Sequence, residues 1–173
     1  MSRAFVKEDD LRVAATPDRP HSGRPNYVTP TGLAMIRAHL EAASAERQRL
    51  LDAGELPDSS PALQAVERDW RYWSARSASA IAVDPQRLPR DRVAFGATVD
   101  LEYEQNGTPQ RMTVRIVGED EADAGAGRIG WTAPLARALT GARVGEVVSW
   151  ARPSGAVEVT VLAIRPLAAQ SAS

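Results

Sequence analysis

Thr132-Ala133-Pro134-Leu135-Ala136-Arg137-Ala138-Leu139-Thr140-Gly141, with Val144-Gly145-Glu146 just beyond, is the stretch that sets the fold of this chain. Thr132 predicts an N-cap, and the proline two residues on stands where a missing N–H costs little. A short helix then buries Leu135, Ala138 and Leu139, and Gly141 ends it. Working outward, Val147 to Trp150 predicts a strand, and Pro153-Ser154-Gly155 turns the chain into another over Val157–Ile164. Upstream, Val99, Leu101 and Tyr103 alternate with Asp100, Glu102 and Glu104, the period of a half-buried strand. Asn106-Gly107 makes a hairpin turn, and Met112 to Val117 returns beside it. Residues 119–127 form an acidic, glycine-rich loop, and Arg128 to Trp131 leads into the short helix. Residues 93–166 therefore read as a small, mainly antiparallel sheet domain with one helix.

Before that domain the period is helical. Thr29-Pro30 starts a helix whose Leu33, Ile36, Leu40, Ala43, Arg47 and Leu50 recur at steps of three and four. Gly54-Glu55-Leu56-Pro57-Asp58 breaks the pattern. Ser60-Pro61 caps a second helix with the stripe Leu63, Val66, Trp70, Trp73, Ser77 and Ala80. Two heptad stripes joined by a short turn predict an antiparallel coiled-coil hairpin over residues 29–84, with Trp70 and Trp73 packed across its seam. Asp84-Pro85 ends it, and residues 85–92 link it to the sheet domain. Residues 1–28, with Pro17, Pro20 and Pro25, read as a flexible arm, and 167–173 as a disordered tail. The fold class is α+β.

Composition excludes several chemistries. The chain has no cysteine, so thiol catalysis and zinc–thiolate sites are absent. Its two histidines, His21 and His39, are far apart in sequence. Net charge is −1, with 8 basic and 9 acidic residues from Arg92 to Pro166, so no segment carries the basic excess of a duplex-coating protein. No apolar run reaches a membrane span, which predicts a cytoplasmic protein without a membrane partner. The intramolecular seam predicts a monomer.

Several segments together resemble the GreA/GreB family of bacterial transcript-cleavage factors. They are Tyr27-Val28-Thr29-Pro30 with Gly32-Leu33; Phe95-Gly96-Ala97 with Val99 and Leu101; Arg115-Ile116-Val117-Gly118 with acids after it; the Thr132–Gly141 block; Val144-Gly145-Glu146; and Pro153 with Gly155. The resemblance covers most of residues 27–166. It implies that the sheet domain is FKBP-like and docks at the rim of the secondary channel of RNA polymerase. It further implies that the hairpin enters the channel and offers acids from its tip to the polymerase active site, where backtracked RNA is cleaved at its 3′ end. The factor would then be no enzyme and hold no cofactor of its own, but share Mg²⁺ with the polymerase. Mg²⁺ takes hard oxygen ligands, which carboxylates supply.

The family's tip pattern is Asp, two residues, then Glu, and Asp52-Ala53-Gly54-Glu55 matches it, with Asp58 following. By the resemblance, Asp52 and Glu55 are the tip acids, and Asp52, Glu55 and Asp58 the donors to the shared Mg²⁺. Asp52 stands near a helix C-terminus, where the macrodipole disfavours a carboxylate, and rule-breaking of that kind marks functional sites. Two departures accompany the match. Leu56-Pro57 replaces the family's Asn and Ala, and the arms are shorter by about three to ten residues, or ~5–15 Å of reach. Short-hairpin relatives that dock without cleaving are the alternative class. The arginines of the hairpin, Arg37, Arg47, Arg49, Arg68, Arg71 and Arg76, read as a solvated face balanced by Glu41, Glu46, Glu67 and Asp69. An FKBP-like fold also raises prolyl isomerisation, for which Phe95, Tyr103, Trp131 and Trp150 are the sheet domain's few aromatic groups.

Overall fold

The computed structural model describes residues 17–54 and 60–167. In chain order these form β1 (Asn26–Val28), α1 (Pro30–Ala53), α2 (Pro61–Ala78), β2 (Ala80–Ala82), β3 (Thr98–Gln105), β4 (Thr108–Val117), β5 (Arg128–Gly130), α3 (Pro134–Leu139), β6 (Val147–Trp150) and β7 (Val157–Arg165). Single 3₁₀ turns lie at Pro85–Arg87, Glu119–Glu121 and Ala124–Ala126.

Both helices of the hairpin begin as their sequences dictate. Thr29 Oγ1 accepts the Gly32 N–H at 3.0 Å, Ser60 Oγ accepts the Leu63 N–H at 3.4 Å, and a proline opens each first turn. Gly54 ends α1 in the left-handed region at φ 62°, its N–H returning to the Leu51 carbonyl. Val28, Ile36 and Trp73 form the buried centre of the hairpin, with Leu33, Leu40, Ala43 and Ala80 around them. Trp73 stacks flat on His39 at 4.4 Å and meets Tyr72 edge-on at 4.9 Å. Trp70 departs from expectation. It is 36% exposed, and the Arg47 guanidinium covers its ring at 5.3 Å. A stripe drifts around a straight helix by about 20° per heptad, which carries such a position toward the flank.

The segment expected as an arm over residues 1–28 ends in regular structure. β1 pairs in parallel with β2, Tyr27 opposite Ile81, and so joins the entrance of the hairpin to its exit. Three-residue strands are too short to leave a period in the sequence. Residues 1–16 of the expected arm, Glu55 and Asp58 of the tip, and residues 168–173 of the expected tail lie outside the described residues. Leu167, assigned to that tail, is buried against Gly96.

The second body is a five-stranded sheet in the order β5-β4-β3-β7-β6. All neighbours are antiparallel except β4 and β5. Between Asp100 and Leu101 the β3–β7 register slips, because Asp100 faces Ala163 while Leu101 faces Val161. Val99, Leu101, Val114, Ile116, Val159 and Val161 point to one face and close on Leu135, Ala136 and Leu139 of α3.

The start of α3 corrects the expectation. Ala133, not Thr132, holds the cap position, without a side-chain bond, and Ala136 rather than Ala138 is fully buried. Successive helical residues lie 100° apart, so a buried face centred between Leu135 and Ala136 leaves Ala138 on its margin. Thr132 Oγ1 instead donates to Glu119 at 3.1 Å. No helix among the described residues is long and apolar enough to cross a membrane.

Candidate functional site

Asp52 occupies the last turn of the 24-residue helix α1, at the opposite end from the Thr29 cap that meets Glu121. Its carboxylate is exposed, and Oδ1 accepts a hydrogen bond from Gln48 Nε2 at 2.7 Å. The last turn holds no basic residue to offset the helix dipole. Arg49, the nearest cation in sequence, is engaged by Glu46 at 2.6 Å, and the guanidinium holds that carboxyl below its ordinary range. Asp52 therefore presents a second oxygen to solvent, free of any ion pair among the described residues. A hard, exposed oxygen of this kind suits Mg²⁺ as one ligand of an ion held mainly by another protein. Among the described residues no cluster of three metal-ligating side chains occurs. Glu55 and Asp58, the other expected donors, lie outside them.

The arginines along the hairpin mostly behave as a balanced surface. Arg47 meets Glu67 at 3.2 Å across the seam, Arg71 meets Asp18 at 2.9 Å, and Arg68 approaches Asp69 at 3.7 Å. Arg76 does not belong with them. Its side chain is 3% exposed, and Nε donates to Asp120 Oδ2 at 2.5 Å.

That contact opens onto a network at the base of the hairpin, all of it centred on one acidic turn. Asp120 also accepts from the Tyr72 hydroxyl at 2.5 Å. Burial, with the hydrogen bond to Asp120 next, pushes the Tyr72 hydroxyl up to about 12. Glu119 accepts from Ser22 Oγ at 2.7 Å and lies 3.8 Å from Arg76 Nη2. Glu121 reaches the start of α1, where its carboxylate accepts the Thr29 N–H at 3.1 Å and the Thr29 hydroxyl at 2.5 Å. It also accepts the Gly118 N–H at 3.2 Å. An anion at a helix N-terminus is stabilised by the free N–H groups and the dipole.

Two glycines make that approach possible. A Cβ on Gly32 would lie 2.1 Å from the Glu121 carboxyl carbon, and one on Gly118 would lie 2.6 Å from the Tyr27 carbonyl oxygen. Residues 18–22 cross the outside of the network, with Arg19 over the Tyr72 ring at 4.1 Å. Sequence reasoning placed Glu119–Glu121 in a loop and Arg76 on a solvated face. The available signal was the run of three acids directly after Gly118.

The four aromatic groups considered for isomerase chemistry divide into two separate sets. Trp131 meets Tyr27 at 5.2 Å and Phe95 lies 6.2 Å from Tyr27, while Tyr103 pairs with Trp150 under Arg152.

A helical hairpin with an exposed acid in the last turn of its first helix, joined to a small five-stranded sheet domain, defines a two-part α+β class of protein. Comparison with known proteins identifies that class. The family described as "Transcription elongation factor, GreA/GreB, C-term" matches residues 88–166. Transcription elongation factor GreB of Neisseria meningitidis serogroup A is 32% identical over 154 residues, 80% of this chain and 93% of that protein. Transcription elongation factor GreA of Ralstonia nicotianae is 35% identical over 155 residues, 81% of this chain and 97% of that protein. Among solved structures, the GreA factor homolog 1 (Gfh1) protein of Thermus thermophilus aligns over 82% of this chain and 99% of that chain, at 25% identity and a TM-score of 0.37. The chain belongs to the GreA/GreB family of transcription elongation factors.

Proposed function

We propose that this chain binds bacterial RNA polymerase at its secondary channel and promotes cleavage of backtracked RNA by the polymerase. The sheet domain docks at the channel rim, and the hairpin carries Asp52 and Glu55, with Asp58 beside them, toward the polymerase active site. Mg²⁺ shared there would polarise a phosphoryl oxygen and favour an attacking hydroxide. The chain's own part is to bring carboxylate oxygens to that ion and to hold them at the end of a helical arm. The observation that carries this reading is Asp52 itself, an exposed carboxylate in the last turn of a 24-residue helix, with an Asp-x-x-Glu spacing.

Arm length favours a second reading. At 1.5 Å per residue α1 spans about 36 Å, and ligand distances tolerate errors of only about 0.2 Å. A hairpin that stops short would occupy the channel without donating ligands, as a non-cleaving regulator.

The two readings separate in one assay, using a deliberately backtracked elongation complex with wild-type factor, with Asp52→Asn/Glu55→Gln, or with none. Acceleration of 3′ RNA release by wild type, reduced by about two orders of magnitude in the variant while polymerase binding persists, is the expected outcome. Binding without acceleration by either protein would establish the regulator instead.

A further inference from the structure

We propose that the Glu119–Glu121 turn is a latch that fixes the aim of the hairpin, with Arg76, Asp120 and Glu121 as positioning residues for the chemistry at the far end. The proposal rests on the reading that the hairpin delivers its tip to a second active site. The turn's neighbouring side chains hold both helices at once. Asp120 holds α2 through Arg76 and Tyr72, while Glu121 holds the first turn of α1 through Thr29. Asn26, in β1, closes the same joint from the other side, its Nδ2 donating to the Arg76 carbonyl at 2.8 Å. No other part of the sheet domain grips α2 by an ion pair among the described residues.

Stability alone does not account for this arrangement. A buried ion pair is often no more stabilising than apolar side chains of the same volume, because desolvating both charges offsets their attraction. What such a pair does supply is direction. Arg76 and Asp120 meet at 2.5 Å with side chains 3% and 6% exposed, so a small rotation of α2 would break a charged hydrogen bond where water cannot readily replace it. An apolar contact has no comparable angular preference. Direction matters here because of leverage. On an arm of about 36 Å, a 10° error at the base displaces the tip by about 6 Å, many times the tolerance of metal coordination.

The test separates stability from aim. The chain has no cysteine, so spin labels on Ala45→Cys in α1 and Thr108→Cys at the β3–β4 turn, both exposed, report one defined distance. The variants are Arg76→Met/Asp120→Leu, which replaces the pair by apolar volume, and Tyr72→Phe, which removes only a hydroxyl. The double variant is expected to keep its thermal midpoint but broaden the distance distribution. At saturating factor, stimulated cleavage is expected to fall about tenfold or more, with the half-saturating concentration unchanged. Tyr72→Phe should broaden the distribution less, and decides the matter if the double variant does not fold. A native distance distribution in a folded double variant, or in Tyr72→Phe if the double variant fails to fold, would overturn the proposal. If the wild-type factor accelerates no cleavage, the functional reading fails, while the distance measurement still decides the latch.

Discussion

Asp100 shows how a single side chain is tuned on an open sheet. Arg165 reaches across from β7 with Nη1 and Nη2 at 2.5 and 2.8 Å, and Thr113 Oγ1 donates from β4 at 2.7 Å. These bonds, Arg165 first, lower the Asp100 carboxyl to about 2. A carboxyl depressed in the folded state adds stability above its unfolded value near 4, and loses it as pH falls from about 4 toward 2. The pair is well solvated, with 31% and 55% of the side chains exposed, so its worth is about 0.5 kcal/mol after screening. Asp100→Asn is therefore expected to lower stability by about that amount near neutrality, by less near pH 2, and by nothing well below it. Urea unfolding of both proteins across that range is the check, and a pH-independent difference would contradict it.

Gly32→Ala carries the corresponding prediction for an element. The new methyl would fall on a carboxylate pinned by Thr29 and Gly118, so Glu121 must leave its site and strand the Thr29 N–H. A loss of about 2 kcal/mol is expected, the range for an overpacked site with a broken buried bond. Gly23→Ala, where nothing lies within 4 Å, should change stability little; chemical denaturation of the two variants gives the comparison. The same element shows what was legible in sequence. Caps at Thr29 and Ser60, the Ile36–Trp73 seam and the β3–β4 hairpin all follow from spacings of two to four residues, within reach of a local pattern. Asp52 was legible because its neighbours match a family motif. Arg76 was not, because its partner is 44 residues away and it lies one position off the stripe, which was read through Ser77. Glu121 and Thr29, 92 residues apart, are coupled only by the folded chain.

At the scale of the molecule, two cores of unequal depth predict unequal stability. Among the described residues, one cluster of twelve buried apolar side chains fills the sheet domain, including Val99, Leu101 and Val161 at 0% exposure. In α1, no side chain beyond Ile36 is buried, so the outer half of the helix rests on half-covered residues such as Leu40 and Ala43. Local opening follows the density of buried apolar contacts. Amide exchange followed by mass spectrometry is expected to show residues 44–53 exchanging well before β3, β4 and β7. Equal protection would mean the hairpin and sheet unfold as one unit.

The pairing of β1 with β2 makes the hairpin resemble an interchangeable blade in a fixed handle. Chain entry and exit are stitched side by side, so the blade can lengthen or shorten without disturbing the grip, provided both arms change together. Matched heptads would add about 10 Å each and preserve the seam; unmatched insertions would rotate one arm against the other. Reach can thus be adjusted in discrete steps, like settings on a ruler, while the socket at Glu119–Glu121 stays as it is.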